Sequence, residues 1–268
     1  MFPIILERLK QGHRTSKYPA EPPKLPDRFR GLPVLDSTKC PDGCRECAEA
    51  CPTLAIEFDG SGPKMDLGKC LFCTDCMQAC PEGAIEYTQE YRLCSTTREG
   101  LVYDGKAFKL AEALDTKITR LFGRSLKLRQ VSAAGCNGCE ADTNVLNTIG
   151  FDLSRFGIQF LASPRHCDGV LVTGPVSQNM KYALEQTYAA VPAPKIVIAV
   201  GACAISGGPF IGHAEQLNGA DKVIPVDLYI PGCPPHPMTI LDGLLRMLDR
   251  LEDNGRLVEV GKPQAVST

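Results

Sequence analysis

The sequence lacks a strong charge of either sign, a long apolar run and an export signal. Its 268 residues carry a formal charge of only −2, which argues against nucleic acid as the main partner. Because no apolar run could span a bilayer and no twin arginine or cleavable apolar core begins the chain, we expect neither a membrane span nor export. The loop at Gly207 and Gly208 does not carry the dinucleotide fingerprint of spaced glycines, so no nucleotide site is predicted.

Cysteine, in contrast, is abundant, with 14 residues that mostly fall at metal-ligand spacings. A disulfide framework would need a secreted context, which nothing in the sequence supports. Eight of the cysteines form two runs, Cys40-x3-Cys44-x2-Cys47-x3-Cys51-Pro52 and Cys70-x2-Cys73-x2-Cys76-x3-Cys80-Pro81. A short apolar piece follows each run, Leu54 to Phe58 and Ala84 to Tyr87, so the whole unit is duplicated.

The second run matches the cysteine pattern of bacterial ferredoxins in full. In that pattern three closely spaced thiolates wrap one cubane, and the fourth cysteine, which precedes proline, ligates the other cluster. We therefore assign one cluster to Cys40, Cys44, Cys47 and Cys80, and the other to Cys70, Cys73, Cys76 and Cys51. The first run has an extra residue between Cys40 and Cys44, which leaves the ligand count intact. Zinc is the alternative metal for such cysteines.

Four further cysteines follow predicted strands in the C-terminal half. Cys136 and Cys139 come after the alternating run Leu126 to Val131, Cys203 follows Ile196 to Val200, and Cys233 follows Val226 to Ile230. In an open parallel sheet the carboxyl ends of the strands point to one edge, where ligands collect. Four thiolates converging there suit an iron–sulfur cluster, with a structural zinc site as the alternative.

The hydrophobic pattern of this half predicts an α/β fold. The candidate strands are Leu126–Val131, Gly157–Leu161, Gly169–Thr173, Ile196–Val200 and Lys222–Val226, and the candidate helices are Ala141–Ile149, Ser177–Val191 and Pro237–Leu251. This alternation predicts a doubly wound parallel sheet with helices on both faces, preceded by a small α+β ferredoxin domain.

The segments outside the two cysteine-bearing units have weaker patterns. Residues Met1 to Lys10 predict a short amphipathic helix, for which packing on this chain and contact with a membrane or partner are both open. A proline-rich, extended stretch follows. Apolar residues from Phe108 to Phe122 recur at helical spacing, with Gly123 as a stop. The lone Cys94 is interpreted as a small buried apolar residue.

At these motifs the chain resembles a known family. From Lys117 to Leu251 it resembles the small subunit of energy-converting NiFe hydrogenases, especially that of formate hydrogenlyase, and its N-terminal half resembles the two-cluster ferredoxin subunit of the same complex. The matching pieces are Gly12, Tyr18–Pro19, Phe29–Gly31, both cysteine runs, Gln89–Tyr91, Gly135–Glu140, Arg155–Ile158, Ser163–His166, Thr173–Val176, Gly201–Cys203, Ser206–Gly208 and Val226 through Pro235. The chain thus looks like a fusion of two subunits.

The resemblance implies a third 4Fe–4S cluster, held by Cys136, Cys139, Cys203 and Cys233, next to the nickel site of a partner large subunit. Cys167 takes a position that the family usually fills with a small non-ligand residue. Arg165 and His166 would be donors near this cluster, with an ordinary surface ion pair as the alternative. Glu140 would either take part in proton movement or favour the positive end of the following helix, the simpler interpretation.

The function implied is electron transfer within a hydrogenase complex. The cysteine pairs that hold nickel would lie on a NiFe large subunit, and further partners would be membrane subunits and an electron donor or acceptor protein. Complex I has the same domain with its first two ligands adjacent; the two-residue spacing here favours the hydrogenase branch, and a complex I-like quinone oxidoreductase is the alternative. We expect a cytoplasmic protein attached to the inner face of the membrane through its partners.

These inferences divide the chain into five segments. They are 1–36 (N-terminal helix and extended segment), 37–92 (ferredoxin domain), 93–125 (connector), 126–253 (cluster-bearing α/β domain) and 254–268 (tail).

Overall fold

The fold was analysed in a computed structural model, which describes residues 2–41, 43–58, 62–122 and 125–259. Its first element is helix α1, Phe2–Gln11. The side chains of Ile4, Ile5, Leu6 and Leu9 in this helix lie in solvent, with Ile4 75% exposed and Leu9 74% exposed. The interpretation of α1 as packed on the rest of this chain is therefore wrong.

The ferredoxin unit repeats one motif. Its elements are β1 Pro33–Leu35, α2 Glu46–Glu49, β2 Ile56–Phe58, β3 Pro63–Asp66, α3 Asp75–Ala79 and β4 Ile85–Tyr87. The third cysteine of each run lies in a short helix, Cys47 in α2 and Cys76 in α3. The apolar piece after each run forms a strand with the same burial pattern. Strand β4 pairs antiparallel with β1, and β2 pairs antiparallel with β3.

The connector differs from the prediction of one helical stretch from Phe108 to Phe122. Strand β5, Val102–Tyr103, extends the sheet of β2 and β3, and strand β6 is Ala107–Lys109. Only Thr116–Phe122 is helical, as α4. Phe108 is a strand residue because it pairs with Val258 of a strand near the end of the described chain, a partner that local spacing cannot indicate. The predicted stop at Gly123 lies outside the described residues.

A five-stranded parallel sheet forms the C-terminal unit. Its elements are β7 Leu126–Ser132, α5 Gly138–Val145, β8 Ile158–Phe160, β9 Gly169–Thr173, α6 Gln178–Ala190, β10 Ile196–Val200, α7 Ala202–Ser206, β11 Leu228–Ile230 and α8 Pro237–Met247, followed by β12 Leu257–Glu259. The strand order is β11-β10-β9-β7-β8, with every pair parallel. The predicted α/β fold class is confirmed.

Alternate residues of the central strands pack on opposite faces of this sheet. Val170 and Val172 of β9 join the core on one face with Leu184 of α6, whereas Leu171 joins the core on the other with Leu244 of α8. Strands β9 and β10 are therefore buried on both sides and have nearly continuous apolar sequences. The face carrying Val170 and Val172 shares its core with the ferredoxin unit.

One predicted strand is wrong. The segment Lys222–Val226 is not a strand, because a 3-10 turn covers Ala220–Lys222 and the strand β11 begins at Leu228. Pro225 has no amide hydrogen for a ladder, and Asp227 caps the neighbouring strand by accepting from the Val197 amide at 2.8 Å. The last predicted helix, Pro237–Leu251, ends earlier, at Met247.

Candidate metal centres

The first group of thiols surrounds a small cavity in the ferredoxin unit. Its lining includes Cys51, Cys70, Cys73 and Cys76, here called the second ferredoxin set, together with Tyr87. Cys51 comes from the first cysteine run and the other three from the second, so the fourth thiol crosses between the repeats. This is the set assigned to one cluster from the sequence; its role as a ligand set stays a prediction.

Polar hydrogens point at these sulfur atoms. The amide of Ala55 lies 3.2 Å from Cys51 Sγ, and that of Phe72 lies 3.3 Å from Cys70 Sγ. The Tyr87 hydroxyl lies 3.6 Å from the sulfurs of both Cys70 and Cys76. Burial raises the pKa of the Cys70 thiol to about 12, so metal binding must displace a proton that the free thiol holds firmly at neutral pH.

The remaining cysteines of the two runs form the first ferredoxin set, Cys40, Cys44, Cys47 and Cys80. Burial, followed by the nearby thiols of Cys40, Cys76 and Cys80, raises the pKa of Cys47 to about 11. The Ala84 amide lies 3.3 Å from Cys80 Sγ, which repeats the contact of Ala55 with Cys51. Cys44 is half-buried in the loop before α2, and its membership in this set stays a prediction.

The third group, the sheet-edge set, consists of Cys136, Cys139, Cys203 and Cys233. Cys136 lies in the turn between β7 and α5, Cys139 lies in α5, Cys203 lies in α7 and Cys233 follows β11. Burial, then the thiols of Cys233 and Cys136, raises the pKa of Cys203 to about 12. The pKa of the Cys139 thiol is also raised, mainly by burial and next by the Cys203 thiol. The carboxyl ends of β7, β10 and β11 therefore bring the four thiols together.

Gly201 makes room for one of these sulfurs. A Cβ added there would lie 2.4 Å from Cys139 Sγ, and the residue has φ +89°. Gly201 lies between β10 and α7, where the backbone has positive φ and a sulfur approaches the Cα. Only glycine fits both conditions. The site is thus shaped around the sulfur by the backbone as well as by the cysteines.

Glu140, the residue after Cys139, is buried behind the sheet-edge set. Its Oε1 accepts hydrogen bonds from Ser132 Oγ at 2.6 Å and from Thr173 Oγ1 at 2.7 Å. These hydroxyls end β7 and β9, so the carboxylate ties α5 to the edge of the sheet. The simpler sequence-based interpretation of Glu140 considered only the positive end of the helix. It did not include these two side-chain partners.

Four other residues that the sequence analysis singled out are not members of the three thiol sets. Arg165 and His166 are exposed in a 3-10 turn between β8 and β9, and their role as donors near a cluster stays a prediction. Cys167 is buried and donates to the carbonyl of Ser163 at 3.2 Å. Cys94 is also buried, with its sulfur 3.4 Å from the carbonyl of Thr239.

The donor chemistry of these sites fits iron–sulfur clusters. Cysteine thiolates are the ligands of such clusters, and hydrogen bonds to their sulfurs tune them. In the two ferredoxin sets, amide hydrogens already point at the sulfurs of Cys51, Cys70 and Cys80.

Sequence reasoning missed two features here. One is the Tyr87 hydroxyl, which a comparison of the two repeats could have indicated, because Phe58 stands at the matching position after the first run. The other is Arg30, whose Nη1 donates to the carbonyls of Phe72 at 2.8 Å and Cys73 at 3.3 Å. Arg30 comes from the N-terminal extended segment, for which the sequence indicated no site.

A duplicated ferredoxin unit beside thiols on the edge of a parallel sheet defines an iron–sulfur electron-transfer protein. Comparison with known proteins agrees: residues 39–84 match the 4Fe-4S dicluster domain, and residues 136–247 match the NADH ubiquinone oxidoreductase 20 kDa subunit. The chain belongs to this 20 kDa subunit family, carries a dicluster ferredoxin domain as well, and is a subunit of an oxidoreductase complex.

Its relatives come from both branches that the sequence suggested. A probable membrane-bound hydrogenase subunit of Pyrococcus furiosus is 38% identical over 143 residues, which are 53% of this chain and 86% of that protein. Formate hydrogenlyase subunit 7 of Escherichia coli is 40% identical over 52% of this chain and 55% of its own length. An NADH-quinone oxidoreductase subunit of Rubrobacter xylanophilus is 50% identical over 102 residues, 38% of this chain and 41% of its own length.

Proposed function

We propose that this chain relays electrons through three 4Fe–4S clusters between the nickel–iron site of a partner large subunit and a separate electron donor or acceptor. The clusters would be held by the first ferredoxin set, the second ferredoxin set and the sheet-edge set, in that order. When bound, they would supply one-electron redox chemistry. The observation that carries the proposal is the adjacency of consecutive thiol sets.

Each junction in this order rests on a pair of nearby thiols. Between the two ferredoxin sets, Cys76 lies close enough to Cys47 to contribute to the raised pKa of that thiol, after burial and Cys40. Between the second ferredoxin set and the sheet-edge set, burial raises the pKa of Cys233 most, followed by the thiols of Cys136 and Cys73. The second ferredoxin set therefore stands between the other two.

The residues at the second junction come from three parts of the chain. Cys233 and Phe72 line one cavity of about 260 Å³ together with Arg30 and His236. The ring of Phe29 contacts that of His236 edge-on, with centroids 5.4 Å apart. The N-terminal extended segment thus contributes to the lining of this cavity, next to residues of both sets.

The exposed side of the sheet-edge set suits contact with a partner. Cys136 and Cys233 are exposed, whereas Cys203 is buried. The loop that carries Cys233 contains Pro231, Pro234 and Pro235, which fix backbone angles and can hold a thiolate still at a surface. We assign this face to a NiFe large subunit, with membrane subunits completing the complex and attaching the chain to the inner, cytoplasmic face of the membrane.

A complex I-like quinone oxidoreductase is the second candidate, favoured by the 50% identity over 102 residues to a component of an NADH-quinone oxidoreductase. The two-residue spacing between Cys136 and Cys139 favours the hydrogenase assignment. No helix among the described residues is long and apolar enough to cross a membrane.

The test is co-expression of the full chain with a matured NiFe large subunit. The chain alone should neither oxidise nor evolve hydrogen, because the cysteine pairs that would bind nickel lie elsewhere. The complex should co-purify and support hydrogen-dependent dye reduction, and the Cys139→Ala variant should lose this activity while keeping both ferredoxin clusters. Hydrogenase activity of the single chain, or full activity of the variant complex, would contradict the proposal.

A further inference from the structure

The two cysteine runs are duplicates, and their surroundings differ at one matching position. Aligning Cys51 with Cys80 places Ala55 on Ala84, Ile56 on Ile85 and Phe58 on Tyr87. The strands β2 and β4 that carry these residues have the same burial pattern. Both repeats also direct an amide at the last cysteine of the run, from Ala55 and from Ala84. The hydroxyl of Tyr87 has no counterpart on Phe58.

That hydroxyl lies 3.6 Å from Cys70 Sγ and 3.6 Å from Cys76 Sγ. Its ring is held in place, because it packs against Phe72 with centroids 6.0 Å apart and lines the cavity of the second ferredoxin set. Thiols that ligate iron have lost their protons, so the phenol is the donor of the pair. Tyr87 has one proton for two sulfurs and shares it between them or serves one at a time.

We propose that the Tyr87 hydroxyl is a tuning donor that raises the reduction potential of the cluster held by the second ferredoxin set. Hydrogen bonds to ligand sulfur stabilise the more negative, reduced cluster, and potentials of such clusters follow the number of these bonds. The inference rests on the proposed function, because it needs a cluster at this set. The second ferredoxin set, in the middle of the relay, thus has a hydroxyl donor close to its sulfurs. The first ferredoxin set lacks this donor, because Phe58 stands at the matching position.

The test is a redox titration, followed by EPR, of the anaerobically reconstituted full chain carrying Tyr87→Phe. One midpoint potential should fall. At a fixed potential, the ratio of reduced to oxidised cluster should then drop by about two- to tenfold. A tenfold drop corresponds to a shift of about 59 mV for one electron. The affected signal should be the one that Cys51→Ser alters. Site-specific 3-fluorotyrosine at position 87, a stronger donor, should move the same potential upward.

The matched control is Tyr103→Phe. Tyr103 is buried in the same core, and its hydroxyl has no hydrogen-bond partner among the described residues. Removing it should leave every potential unchanged. Any of three results would overturn the role of Tyr87 and leave the relay standing. They are three intact signals with no shift in Tyr87→Phe, an equal shift in Tyr103→Phe, and no response to fluorotyrosine. A wild-type chain without cluster signals would overturn both.

Discussion

Replacing Gly201 with alanine should remove the cluster of the sheet-edge set while leaving the two ferredoxin clusters in place. The added Cβ would lie 2.4 Å from Cys139 Sγ, and contacts below 3.0 Å are essentially never seen. To restore ordinary contact, the sulfur must move by about 1 Å, whereas ligand distances at a metal site tolerate about 0.2 Å. The backbone gives no relief, because φ +89° costs a residue with a side chain about 1–3 kcal/mol.

Rotation of the Cys139 side chain would relieve the clash but would take the thiol away from Cys203 and Cys233. Either response leaves the site with three ligands in place. We expect iron in the anaerobically reconstituted variant to fall from about twelve to about eight atoms per chain, with one EPR signal lost. The measurements are iron analysis and EPR of the dithionite-reduced protein.

Gly150→Ala is the matched control for this prediction. Gly150 has no neighbour within 4 Å of an added Cβ and no left-handed backbone, so alanine fits there without strain. This variant should keep the full iron content. If Gly201→Ala also kept about twelve irons and all EPR signals, the thiol of Cys139 would not be a cluster ligand, and the argument from the close approach of Gly201 would be wrong.

Two further changes test the ferredoxin sets and the buried core. Cys51→Ser should alter the cluster of Cys70, Cys73 and Cys76; an effect confined to the other ferredoxin cluster, measured by EPR, would refute the crossover. Arg246→Met removes the bidentate partner of the fully buried Asp242, and should lower the free energy of unfolding in urea by about 3–5 kcal/mol, with most of it recovered by adding Asp242→Leu. Burial already raises the pKa of Asp242 in the unaltered protein, and loss of the Arg246 charge should raise it further. The loss should therefore grow as pH rises above the native pKa of Asp242 in the unaltered protein, because only there does that protein keep an ionised carboxylate that the variant must protonate. A loss below about 1 kcal/mol would contradict the buried-pair argument.

The sheet and the positions of its cysteines were predictable because their signals are local. Strands β9 and β10 are nearly continuous apolar runs, and the helices beside them begin within a few residues of the predicted starts. The carboxyl ends of parallel strands share an edge by topology alone. Cys136, Cys203 and Cys233 could therefore be placed together without knowledge of any contact.

What the sequence could not indicate depends on pairs that are far apart in the chain. Phe108 belongs to a strand because it meets Val258. The Tyr18 hydroxyl donates to Asp242 Oδ1 at 2.8 Å across 224 positions of sequence. Helical spacing around Phe108 and proline content around Tyr18 describe only local preference, and tertiary contacts override such preferences.

The contacts between the two units explain why their fusion can set the spacing of the thiol sets. Ser95 of the connector pairs with Tyr229 on the edge strand β11, where the two backbone amides and carbonyls exchange hydrogen bonds of 3.1 and 2.8 Å. Ser206 of α7, one turn beyond Cys203, donates to the carbonyl of Gly68, two residues before Cys70, at 2.9 Å.

Charged side chains join the units at a second place. Arg92, at the end of the ferredoxin domain, contacts Asp253 at 3.0 Å, and Asp253 in turn accepts from Arg246 of α8 at 2.7 Å. Backbone pairing beside β11 and this ion network lie on different elements, so a rotation of the ferredoxin unit about one joint would break the other. Because tunnelling between redox centres depends steeply on their separation, two independent joints keep Cys73 and Cys233 adjacent in a way that one covalent linker could not.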